Sequence, residues 1–166
     1  MKDRGELLVE EFHTTYGLPA PGRHTLLTDQ DMQLRINLMR EELDEIEEAW
    51  DAFKADTSGD KDYLEHFAAI ASEIADLLYV TYGTAVSMGF DALDVLAEIH
   101  KANMSKLWSE ADLATLPMAG DGTSESDNLT AYATEHGTIV ERADGKIIKP
   151  PSFKRADIAK ALGYVT

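Results

Sequence analysis

Met32-Gln33-Leu34-Arg35-Ile36-Asn37-Leu38-Met39-Arg40-Glu41-Glu42-Leu43-Asp44-Glu45-Ile46-Glu47-Glu48-Ala49-Trp50-Asp51-Ala52-Phe53 decides the fold. Met32, Ile36, Met39, Leu43, Ile46, Trp50 and Phe53 alternate steps of four and three, which lines them up as one apolar stripe of a helix made for a bundle. The helix is predicted from about Gln30 to Lys54, with Thr28 or Asp29 as its cap. Upstream, residues 3–16 read as a first helix with Leu7, Leu8, Phe12 and Tyr16 on its apolar side. The breaker cluster Gly17-Leu18-Pro19-Ala20-Pro21-Gly22 separates the two helices.

Downstream, Asp56-Thr57-Ser58-Gly59-Asp60 turns the chain into a third helix, about Asp62 to Met88. Phe67, Ile70, Ile74, Leu77, Leu78 and Ala85 supply its buried side, and Gly89 suits a left-handed C-terminal cap. Asp91 can start a fourth helix carrying Leu93, Leu96, Ile99, Met104 and Leu107. Composition then changes. Gly120-Asp121-Gly122-Thr123-Ser124-Glu125-Ser126-Asp127-Asn128 is small, polar and irregular, and is expected to be an exposed excursion. Residues 138–142 and 146–149 flank Ala143-Asp144-Gly145, a hairpin signal. A short helix is expected within Arg155 to Leu162. The expected organisation is one domain over residues 1–166: a helical core to about 107, a polar insertion at 109–137 and a tail from 138. The fold class is all-α, a four-helix bundle core with a C-terminal extension that has room for a short β-hairpin.

Bulk properties narrow the function. The 31 acidic and 15 basic residues give a formal charge of −16, a surface that repels a phosphate backbone, so no nucleic-acid partner is expected. No apolar run reaches the length of a membrane span, and the N-terminus has no apolar signal core, so neither membrane insertion nor secretion is expected. There is no cysteine, hence no disulfide, thiolate nucleophile or cysteine-based zinc site. A cytoplasmic setting is the plain expectation.

The carboxylates carry the chemistry. Positions three or four apart share a helix face, so Glu41, Glu42 and Glu45 are neighbours, as are Glu73 and Asp76 on the next helix. Glu42 and Glu73 border the apolar stripes by which their helices would pack, so the acids can meet along one seam. Like charges that close repel unless a cation lies between them, and oxygen ligands without His or Cys suit Mg²⁺ or Mn²⁺. The bland alternative is a solvated acidic face balanced by Arg35, Arg40 or Lys54. A ferritin-like di-iron site would need Glu-x-x-His pairs, which the central acids lack. His24, His66, His100 and His136 form no metal-binding spacing, and Trp50 and Trp108 suit packing.

Glu41-Glu42-x-x-Glu45 followed by Glu73-x-x-Asp76 resembles the signature of the all-α nucleoside triphosphate pyrophosphohydrolases, the MazG-like and phosphoribosyl-ATP pyrophosphohydrolase-like proteins. Residues 75–83 and 98–106 resemble the surroundings of the second motif and the helix after it, and residues 142–150 resemble a tail of one branch that includes small dUTP-hydrolysing enzymes. The resemblance implies hydrolysis of a (d)NTP to (d)NMP and pyrophosphate in nucleotide-pool control, with dUTP or dGTP leading. It implies Glu42, Glu45, Glu73 and Asp76 as metal ligands, and Glu41 as the group that orients or deprotonates water or binds a second metal. Asn103 and Lys106, with Lys146 and Lys149 from the tail, would bind phosphates. Phe12 and His13 would line the substrate pocket, although a core role for Phe12 and structural roles for Tyr79 and Tyr82 are the plainer readings. Relatives are oligomeric, and the long stripes independently ask for cover, so a homo-oligomer is expected, a tetramer ahead of a dimer. The rivals are a phosphoribosyl-ATP-type enzyme, disfavoured by its different flanking features, and a non-catalytic oligomer binding cations or a partner.

Overall fold

A computed structural model describes residues 4–57, 59, 62–116, 123–124 and 129–164. The elements are α1 (Arg4–Thr15), α2 (Asp29–Ala55), α3 (Tyr63–Met88), α4 (Ala92–Met104), α5 (Glu110–Leu113), β1 (Thr123–Ser124), β2 (Leu129–Thr134), β3 (Gly137–Arg142) and α6 (Ile158–Ala161). An all-α core followed by an extension with a β-hairpin is therefore the architecture. The chain forms two compact units, residues 1–93 and 94–166. No helix among the described residues is long and apolar enough to cross a membrane.

In the first unit, α2 and α3 form an antiparallel hairpin. Arg35 near the start of α2 donates from Nη2 to Ser87 Oγ at the end of α3 (2.7 Å), and Phe53 meets His66 at the other end, 5.4 Å between ring centres. Thr28 caps α2 by accepting from the Asp31 N–H at 3.1 Å. Gly89 ends α3 at φ 71°, and a Cβ there would stand 2.0 Å from the Arg23 carbonyl oxygen, so both conformation and space require glycine.

α1 corrects the expectation. Its buried residues are Glu6, Val9 and His13, whereas Leu7, Leu8 and Tyr16 are about half exposed or more. Glu6 Oε2 accepts from the Ala92 N–H at 3.1 Å, which puts a carboxylate on the start of α4, where free N–H groups and the helix dipole favour it. Asp91 also caps there, accepting from the Leu93 N–H at 3.0 Å. His66, also buried, contacts Asp56 at 2.9 Å between Nε2 and Oδ2, a side-chain tie rather than a metal ligand.

The second unit starts within α4 and centres on Trp108, Leu129 and Val140, ringed by Leu113, Leu116, Ala131 and Ile148. Trp108 Nε1 donates to the Ile148 carbonyl at 2.9 Å, and its backbone N–H donates to Thr138 at the same distance. Asp112 is buried and accepts from Ser109 Oγ (2.6 Å) and Ser152 Oγ (2.7 Å), bonds that hold its carboxyl below the usual range.

The sheet order is β1-β2-β3, all antiparallel, with Leu129 opposite Arg142 and Thr134 opposite Gly137. The main hairpin thus turns at Glu135-His136, and β2 falls in what the sequence presented as polar insertion. The Asp144-Gly145 turn does form, with Gly145 at φ 83° and its N–H donating to the Arg142 carbonyl at 2.8 Å. Its second arm makes only the isolated bridge Glu141↔Ile147, because the chain soon meets Pro150-Pro151, which cannot donate to a ladder. Arg142 pairs with Asp144 and not with Glu141. The expected excursion at 120–128 lies outside the described residues apart from β1. The last helix shortens to Ile158–Ala161, capped by Asp157.

Candidate active site

Five carboxylates on α2 and α3 define the site. Glu42, Glu73 and Asp76 each offer an oxygen, and these oxygens all lie within 4.8 Å of one another. Glu45 lies within reach of Glu73, and a proton held between the two carboxyls keeps Glu45 above its ordinary range, aided by desolvation and the charges of Glu73 and Asp76. Glu42 is raised too, first by burial and then by Glu45, Asp76, Glu41 and Glu73. Glu41 thus belongs to the same field while remaining exposed on α2. Glu42, Glu73 and Asp76 come together, Glu45 lies within reach of Glu73, and Glu41 acts on Glu42 through its charge.

Two of the three basic residues named as counter-charges are engaged elsewhere. Lys54 pairs with Asp51 at 2.6 Å, and Arg35 turns to Ser87. Among the described residues, none of the five carboxylates has an ion pair with Lys or Arg. Shared protons or a cation between the charges would relieve such crowding. Three oxygens at this spacing fit a hard ion, since opposite ligands about 2.1 Å from Mg²⁺ stand about 4.2 Å apart. The donor set is oxygen only, which suits a divalent cation of this class.

A pH test follows from the shifts. Because the fold raises Glu42 and Glu45, their contribution to stability is present below the ordinary glutamate range and is lost as pH rises through the raised values. Metal-free protein should therefore melt higher at pH 5 than at pH 8. Divalent cation at pH 8 should restore the loss, because it binds only the folded carboxylates. Thermal scans in chelator and in excess Mg²⁺ check this, and Glu45→Gln should flatten the metal-free pH dependence.

Beside the acids, a cavity of about 300 Å³ runs from Glu42 and Asp76 between α1, α2 and α3. Phe12 and His13 line it, as the resemblance implies. Phe12 is 38% exposed and meets Tyr79 edge-on, 5.7 Å between ring centres, so these rings wall the cavity and are not sealed in a core. Arg35 and Gly83 also line it, and sequence inspection did not single them out for this role. Their signal was available: each lies seven residues from a metal-site acid, Arg35 before Glu42 and Gly83 after Asp76, hence on the same helix face two turns away. A glycine inside a long helix, costing about 1 kcal/mol relative to alanine, was a second sign.

The proposed phosphate donors sit in the second unit. Asn103 and Lys106 line a cavity of about 410 Å³ with His136, Ile139 and Ile147. Lys146 is exposed beside Ile147, and Lys149 Nζ lies 4.4 Å from the centre of the Phe153 ring. Lys146 and Lys149 are not among the residues that line the cavity of Asn103 and Lys106.

Comparison with known proteins agrees with the acidic motif. No curated protein sequence matches the chain. The family model described as Phosphoribosyl-ATP pyrophosphohydrolase matches residues 9–103, more than half of the chain and both acidic motifs. With its helical core and converging carboxylates, this chain belongs to the phosphoribosyl-ATP pyrophosphohydrolase family, all-α enzymes of the MazG-like superfamily that act on phosphoric anhydride bonds.

Proposed function

We propose that the protein is a divalent-metal-dependent nucleoside triphosphate pyrophosphohydrolase, converting a (d)NTP to (d)NMP and pyrophosphate, with dUTP or dGTP as leading substrates. The observation that carries this reading is the group of Glu42, Glu73 and Asp76, which has no Lys or Arg ion pair among the described residues and of which Glu42 and Asp76 line a cavity of about 300 Å³ walled by Phe12 and Tyr79. Glu42, Glu45, Glu73 and Asp76 would hold Mg²⁺ or Mn²⁺, which neutralises phosphate oxygens and makes bound water more acidic. Glu41 orients the attacking water and accepts its proton, while the water oxygen bonds to phosphorus and the anhydride bond breaks. Asn103, Lys106, Lys146 and Lys149 are assigned to phosphate oxygens. In an oligomer those donors need not come from the copy that supplies the acids.

Association is part of the proposal. None of the 27 described residues of α2 is buried, and Leu43, Trp50, Phe67 and Leu78 are each 49% exposed or more. Apolar stripes left this open ask for a second copy, and a tetramer is favoured over a dimer. Sedimentation analysis should find an oligomer at micromolar concentration. A stable monomer there would refute this part.

Membership of this family supplies a second reading, in which the substrate is phosphoribosyl-ATP. Pyrophosphate release from dUTP, dGTP, dCTP, dATP, ribonucleotides and phosphoribosyl-ATP, with and without Mg²⁺, separates the two. Metal-dependent turnover of a plain (d)NTP supports the first reading. Turnover of phosphoribosyl-ATP alone supports the second, and none at all leaves a cation- or partner-binding oligomer.

A further inference from the structure

The cavity beside the acids ends on a floor supplied by three helices: Val9 and His13 of α1, Arg35 of α2 and Gly83 of α3. His13 is 2% exposed, and its Nδ1 lies 2.8 Å from the Pro19 carbonyl oxygen. A carbonyl can only accept, so Nδ1 carries a proton, and in the neutral form of the ring Nε2 is then an acceptor. Arg35 commits Nη2 to Ser87, and its Nη1 remains a donor. A Cβ on Gly83 would stand 3.2 Å from His13 Nε2 and 3.4 Å from Arg35 Nη1. Both atoms therefore flank the one spot that a side chain at 83 would fill.

The geometry points to a base-reading pair, Arg35 donating and His13 accepting, that selects nucleobases with a carbonyl beside a ring N–H. Uracil, thymine and guanine present that edge: the carbonyl accepts from Arg35 Nη1 and the adjacent N–H donates to His13 Nε2. In the same orientation, cytosine and adenine present the reverse, an amino donor beside a bare ring nitrogen, which sets donor against donor and acceptor against acceptor. Phe12 and Tyr79 offer aromatic surface to the base. The inference rests on the nucleotide-hydrolase reading above and adds the substrate class to it.

Same-size pairs test it without confounding by ring size. In the full chain with Mg²⁺, kcat/KM for dUTP should exceed that for dCTP, or dGTP that for dATP, by about 100-fold or more, because a wrong edge leaves buried polar groups unpaired. Calorimetric binding of dUMP against dCMP and of dGMP against dAMP should show the same preference, at least about tenfold, without any turnover. Arg35→Met should bring the ratios toward one, and Gly83→Ala, which fills the shared spot while favouring helix, should raise KM for the keto base more than it lowers kcat. Equal binding of keto and amino monophosphates overturns the inference, whether or not triphosphates turn over. Equal loss on all substrates in both variants also overturns it, since that marks a merely structural role. Absence of turnover with every triphosphate, alongside a keto preference in binding, would refute the hydrolase reading and leave the base-reading pair standing.

Discussion

Asp76→Asn and Glu45→Gln are each expected to lower turnover by about a thousandfold or more while leaving helicity unchanged. A divalent ion at such a site contributes several kcal/mol of transition-state stabilisation, and each 1.36 kcal/mol is about tenfold in rate. Asp76 supplies one of three oxygens within 4.8 Å of each other, and Glu45 lies beside them, its carboxyl raised by Glu73. Both substitutions keep size and shape and remove one negative charge. They also relieve repulsion among crowded acids, so the metal-free variants should be at least as stable as the wild type. Steady-state pyrophosphate release and far-UV circular dichroism together make the check. Full turnover after both changes would exclude the site, and loss of helicity would show that the carboxylates are structural.

Trp108→Ala should have the largest effect on stability, about 3–5 kcal/mol, the usual range for removing a large buried aromatic ring. Trp108 is 6% exposed and forms the second unit's core with Leu129 and Val140. Its removal leaves a cavity and strips the Ile148 carbonyl of its indole donor. Against a typical total of about 5–15 kcal/mol, that loss is a large share of the available stability and raises the population of locally opened states. Trp108→Phe keeps most of the apolar volume and gives up the hydrogen bond, so about 1 kcal/mol is expected. Limited proteolysis with mass analysis should place the new cleavage sites within residues 94–166. Melting and cleavage identical to wild type would remove Trp108 from the core.

Much of the helical fold was legible locally. The stripe from Met32 to Phe53 marks α2, Gly89 marks the end of α3, and the observed limits differ from the expected ones by a residue or so. The five acids were legible for the same reason, since spacing on each helix fixes which of them share a face. The face of α1 was not. Leu7 and Leu8 look like core but stay half exposed, while Glu6 and His13 are buried, because their partners at Ala92 and Pro19 lie in other segments. Arg35 looked like a counter-charge for the acids until its partner proved to be Ser87, 52 residues away. β2 was hidden as well, for Thr130, Ala131 and Thr134 carry little hydrophobic alternation and gain their strand from pairing with β3.

The sequence alone determined where the helices run and which carboxylates line each seam, because helical periodicity and capping act over a few neighbouring residues. Only the tertiary structure decided which α1 face is buried, that Arg35, His13 and Gly83 share a cavity floor, and where the hairpin forms. Those outcomes depend on contacts between distant segments, whose free energy exists only once the chain has closed the intervening loops.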